Sequence, residues 1–256
     1  MALGRLLGGK TEVPRPHEGP VPSEPRKPTV GGKSGTVRAA IFGINDGLVS
    51  NLSLIMGVTG ASVDNKIIIL AGVAGLLAGA FSMGAGEYVS MRVQRELFER
   101  LIHIEAHELA TEPDEEREEL VGIYRNKGVP EGVAEQLVDA LHRDPNLALE
   151  THAREELGLD PEEGLGSPWG AALSSFVMFA IGAFVPLLPF LVGSGTGATL
   201  SSIFAGGGTL FAVGALMSIL TGRGALHSGL RMLFVGATAA AITFGVGSLL
   251  DVSTGI

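Results

Sequence analysis

A chain of 256 residues with 46% hydrophobic and 18% charged residues, 38 glycines and a mean hydropathy of +0.36 is too apolar for an ordinary soluble domain. It reads as a membrane protein packed through small residues. The net charge of −9 argues against a nucleic-acid partner, whose phosphates require a basic surface. The absence of cysteine removes disulfides, iron–sulfur clusters and cysteine nucleophiles, so any metal must use oxygen, imidazole or thioether ligands.

Residues 1–35 mix proline, glycine and charge without a sustained apolar run and read as a disordered N-terminal arm. Within it "ALGRLLGG" is interrupted by Arg5 and is too short for the apolar core of a signal peptide.

Residues 36–91 hold two spans, each of the ~20 mostly apolar residues that a membrane crossing needs. The first runs from Val37 to Gly60; after the polar link "ASVDNK" the second runs from Ile67 to about Val89. Two acids fall within them, Asp46 in the first and Glu87 near the end of the second. A charge at the centre of a membrane helix costs about 2.5–3.5 kcal/mol even on insertion scales, so Asp46 reads as functional. Asn45, Ser50, Asn51 and Ser53 are expected to line the same polar seam. Met83 stands one turn from Glu87 and one turn deeper. A lone methionine is core filler, but beside a buried carboxylate its thioether is a soft ligand for a transition metal. The second span is dense in small residues, among them Gly75, Ala78, Gly79 and Gly84, which permit close helix approach within a monomer or across a dimer.

Residues 92–163 differ in kind, carrying about twenty of the 27 acidic residues. "SMRVQRELFERLIHIEAHELA" continues the second span without a breaker until Pro113, so that helix is expected to run on out of the membrane. Three Pro-started stretches follow, "PDEEREELVGIYRNKG", "PEGVAEQLVDALHRD" and "PNLALETHAREELG", each punctuated as a helix. The segment reads as a compact helical unit of three or four helices inserted between spans two and three. Residues 164–256 hold the last three spans. Gly164 to Gly222 is free of charge and is cut in two by "GSGTG" at Gly193 to Gly197, and Met232 to Leu250 is again uncharged.

Loop charge orients the chain. Arg26, Lys27, Lys33 and Arg38, then Arg92, Arg95 and Arg100, then Arg223 and Arg231 all fall on one side of five spans, with the N-terminus in the cytoplasm and the C-terminus outside. The expected fold is an all-α membrane protein with five transmembrane helices and an inserted cytoplasmic helical metal-binding domain.

That last expectation rests on carboxylate spacing. Glu105 and Glu108 share a helix face, as do Glu116 and Glu119, and His152 and Glu156 are one turn apart. Taken singly, each pair reads as a solvated charged face. Three antiparallel helices presenting such pairs to one another would repel unless a cation sat between them. Oxygen ligands with one imidazole suit Fe2+, Mn2+ or Zn2+. "HIEAH" is no zinc-protease motif, because Ile104 stands where the general-base glutamate must follow the first histidine. His103 and His107 read as helix-face residues or peripheral metal contacts. No Glu-x-x-His spacing occurs in the insert, which counts against the alternative of a membrane-anchored, ferritin-like iron-binding or oxidising protein.

"DGLVSNLSLIMG" in the first span and "AGLLAGAFSMGAGEYVS" in the second, followed by an acidic helical insert and three more spans, resemble the vacuolar iron transporter family over about Val37 to Leu250. The resemblance implies a transporter and not an enzyme. It implies a homodimer of five-span protomers that moves Fe2+ and related divalent ions out of the cytosol in exchange for protons, with no prosthetic group and a path between the protomers. By matching motif, Asp46 and Met83 take the family's intramembrane metal-contacting positions. Glu105, Glu108, Glu116, Glu119 and Glu156 take those of its cytoplasmic metal-binding domain. Two departures stand out. Plant-type members carry a further second-span glutamate where this chain has Gly75, and part of that role is assigned here to Glu87. Paired methionines on the last helix of the insert are replaced by His152 and Ala153, which hardens the site. With no targeting segment in view, a prokaryotic plasma membrane is favoured over a vacuolar one.

Overall fold

The computed structural model describes residues 34–62, 64–159 and 166–250, and among them it forms eight helices and no strand. Residues 1–33 of the N-terminal arm and the junction after the acidic insert lie outside the described residues; Ser34 and Gly35, assigned to the arm from sequence, already belong to α1. In chain order the helices are α1 (Ser34–Ala61), α2 (Asn65–Thr111), α3 (Pro113–Asn126), α4 (Glu131–Leu141), α5 (Pro145–Glu155), α6 (Pro168–Val192), α7 (Gly195–Thr221) and α8 (Ala225–Leu250). Five of them, α1, α2, α6, α7 and α8, are long and apolar enough to cross a membrane.

Asp64 starts α2 by accepting a hydrogen bond from the Lys66 amide at 2.8 Å. No proline interrupts the next 47 residues, so the helix stays continuous, about 70 Å at 1.5 Å per residue. A bilayer core takes about 30 Å of that length. The remainder extends beyond that length and meets α3 and α5, against which α4 packs in turn. Pro113 opens α3, with Asp114, Glu115 and Glu116 in its first turn where the helix dipole favours acids. Asp144 caps α5 through the Asn146 amide. Leu120, Val121, Ala134 and Val138 close a small core between α3 and α4. The insert is therefore a four-helix arrangement counting the extension of α2.

Among the membrane helices, α1 is central and packs on α2, α6, α7 and α8. Leu48, Leu52, Ile55 and Met56 from α1 meet Leu187, Phe190, Leu210 and Val213 in the main core. The α1–α6 approach is backbone-close: a Cβ on Gly47 would lie 2.2 Å from the Phe179 carbonyl oxygen. α6 carries Pro186 and Pro189, and neighbouring side chains address the carbonyls of that stretch. Asn51 Nδ2 donates to Ala183 O at 2.6 Å, Ser202 Oγ to Pro186 O at 2.6 Å and Asn65 Nδ2 to Phe190 O at 3.1 Å. The break between α6 and α7 is shorter than "GSGTG" implies. Only Gly193 and Ser194 leave the helix, and Gly195 already begins α7.

Candidate metal centre

The polar end of the molecule converges on one imidazole. His152, in the last turn of α5, is fully buried. Its Nδ1 lies 3.0 Å from Glu105 Oε1, 3.4 Å from Glu116 Oε2 and 3.5 Å from Glu156 Oε2. Glu105 comes from the extension of α2, Glu116 from the first turn of α3, and Glu156 from the C-cap of α5. One ligand atom from each of these four residues falls within 4.8 Å of every other. On the far side of the ring, His152 Nε2 lies 3.1 Å from Nε2 of His142, the C-cap residue of α4.

The electrostatics of the cluster would favour a cation. Burial pushes the Glu105 carboxyl up to about 7, and the charges of Glu156, Glu116, Glu108 and Glu119 add to the shift. Glu116 and Glu156 are raised in the same way, burial first and neighbouring carboxylates second. Burial lowers His152 and so favours the neutral ring, with Glu119 opposing. Glu105 Oε1 and His152 Nδ1 are both buried, yet neither has a hydrogen-bond partner among the described residues. An orphaned buried polar atom costs about 1–3 kcal/mol. A divalent ion taking a lone pair from each would remove that cost and the repulsion among the carboxylates. Three carboxylates and an imidazole form the donor set that suits Fe2+, Mn2+ or Zn2+.

Of the acidic-unit residues expected from sequence, Glu105, Glu116, His152 and Glu156 are thus gathered. Glu108 is half-buried and Glu119 exposed; they stay outside the four-atom set and act on it through charge. His103 and His107 are exposed on α2 and do not join it. His142 was missed by sequence reasoning, since nothing in its spacing links it to the cluster.

A second polar feature lies at membrane depth. Asp46, Ser50 and Asn51 of α1, with Gly75, Ser82 and Met83 of α2, line a cleft of about 210 Å³ backed by Phe179 of α6. Asp46 and Met83 are therefore brought together, and Ser82 joins them unforeseen. Asn45 and Ser53 do not line the cleft. Neither does Glu87: both its carboxylate oxygens lie 3.1 Å from Arg38 Nη2 at the end of the spans nearest the acidic unit. At Gly75 a Cβ would lie 2.4 Å from Leu54 Cδ2 and 2.8 Å from Asn51 Oδ1, so any side chain there requires both neighbours to move.

The model of the VIT family matches residues 37–248. Vacuolar iron transporter 1 of Arabidopsis thaliana is 32% identical over 212 residues, covering 81% of this chain and 83% of the relative. Vacuolar iron transporter 1 of Oryza sativa subsp. japonica is 33% identical over 217 residues, covering 82% and 83%. The vacuolar iron transporter of Acanthamoeba castellanii is 34% identical over 239 residues, covering 90% and 84%. The chain belongs to the VIT family.

Proposed function

We propose that the protein is a divalent-metal transporter that exports Fe2+, with Mn2+ and Zn2+ as further cargo, from the cytosol in exchange for protons. The observation that carries the reading is the set of four ligand atoms within 4.8 Å, two of them buried and without a hydrogen-bond partner. The names of the relatives, vacuolar iron transporters, support iron as the cargo. The acidic unit captures the ion on the cytoplasmic side and raises its concentration beneath the membrane.

Passage runs through the cleft that holds Asp46 and Met83, a carboxylate and a thioether able to replace part of the ion's hydration. Glu87, paired with Arg38, stands at the cytoplasmic end of this path. A proton arriving from the far side competes with the cation for the Asp46 carboxylate, and that competition couples the two fluxes. Ser50, Leu54 and Ser82 are exposed around the cleft, so it opens on the side of the protomer. A carboxylate facing lipid is costly. A second copy covering that side makes the path an inter-protomer one, hence a homodimer. The ferritin-like alternative is not favoured: among the described residues a single such group of ligands occurs, with one imidazole in it.

The test is Fe2+ flux into proteoliposomes under an imposed proton gradient. Asp46→Asn is expected to reduce gradient-driven flux to near background while metal binding by the acidic cluster persists. Flux at the unmodified rate would remove Asp46 from the mechanism.

A further inference from the structure

We infer that His142 is a positioning residue for the metal centre, holding His152 in the one tautomer that can ligate; this rests on the reading of the Glu105–Glu116–His152–Glu156 cluster as a metal site. His152 Nδ1 is the nitrogen that faces the three carboxylates, at 3.0 to 3.5 Å. An ion bound there takes the Nδ1 lone pair, so the single proton of the neutral ring must sit on Nε2. That N–H is fully buried and needs an acceptor.

The group within reach is His142 Nε2, at 3.1 Å, with the two rings 5.3 Å apart and inclined at 50°. For His142 Nε2 to accept, the proton of that second ring must be on its Nδ1. The two tautomers are therefore locked to one another: His152 carries its proton on Nε2, and His142 carries its own on the nitrogen turned away from the pair. A ligating histidine whose other nitrogen donates to a fixed acceptor is oriented and made more basic, and loss of such a partner typically weakens metal binding about 10–100-fold. The fold supplies the acceptor through the α4–α5 junction. His142 ends α4, and its backbone amide is fixed to the Val138 carbonyl.

The test uses the full chain in detergent, with Asp46→Asn as background so that the membrane cleft does not contribute, and Co2+ as the probe. Affinity and visible absorption are read for His142→Phe, which keeps a ring but offers no acceptor, and for His142→Gln, whose amide oxygen accepts. His142→Phe is expected to weaken Co2+ binding at least about tenfold and to shift the absorption bands. His142→Gln is expected to restore most of the affinity, with the metal-free melting temperature of both near that of the background protein. Wild-type affinity in His142→Phe overturns the proposal. So does an equal loss in both variants, since that marks a packing role. His152→Ala separates the two readings: if it too leaves Co2+ binding intact, the cluster is not the metal site and the proposal falls with it.

Discussion

Glu105 would make the proposed metal centre responsive to pH. In the unfolded chain its carboxyl ionises near 4.5; folded, burial and the charges of Glu156, Glu116, Glu108 and Glu119 hold it near 7. Between those values the folded chain keeps a proton that the unfolded chain has lost. Its contribution to the stability of the metal-free protein is therefore full below about pH 4.5 and is lost as pH rises through about 7. Metal binding at the proposed site would run the other way, because the ligand there is the carboxylate. Zn2+ affinity, measured by calorimetry in the Asp46→Asn background, should climb as pH rises through about 7, with proton release on binding at the acid end that fades at the alkaline end. Glu105→Gln should weaken binding and flatten that climb; an unaltered profile would mean that Glu105 is not a ligand. The gathered residues were legible because each lies on a helix whose start is marked by proline or an unbroken apolar run, so i,i+3 and i,i+4 spacing placed them on faces. Two partnerships were not legible. His142 reaches His152 only through the packing of α4 on α5, and Arg38 reaches Glu87 only because α1 and α2 lie side by side, 49 residues apart in sequence. Periodicity within one helix carries no information about either.

At the scale of elements, small residues decide how closely the membrane helices approach. Gly47 faces backbone: its missing Cβ would fall 2.2 Å from Phe179 O and 2.9 Å from Ala183 N. Gly47→Ala is expected to force α1 from α6 and to destabilise by about 1–3 kcal/mol, the usual cost of overpacking. Gly86, also helical, has nothing among the described residues within 4 Å of its would-be Cβ. Gly86→Ala should leave the melting temperature unchanged or raise it slightly, since alanine is the better helix former. Equal melting of the two variants in detergent would remove close packing as the reason for glycine at position 47. The continuity of α2 could be read from its sequence, which holds no proline from Asn65 to Thr111. The brevity of the α6–α7 break could not, because "GSGTG" is as compatible with a five-residue loop as with a two-residue one followed by a new helix.

At the scale of the whole molecule, five candidate spans place the start of α1 and the end of α8 on opposite faces, with the acidic unit on the side of the α1 start. The chain contains no cysteine, so single cysteines report their side without background. Glu118→Cys, exposed on α3, should react with an impermeant thiol reagent only from the cytoplasmic face, and Ser194→Cys, between α6 and α7, only from the other. Labelling of both from one side would overturn the proposed orientation. The unbroken rod of α2 carries one consequence for throughput. Met83 and Glu105 ride on it roughly six turns apart, about 33 Å, too far for any side chain to bridge. On the proposed path an ion let go by the imidazole has that whole distance to cover before the sulfur can receive it, so the outer cluster would serve as a larder and not as a link in a bucket brigade. Too firm a grip there would starve the crossing it supplies.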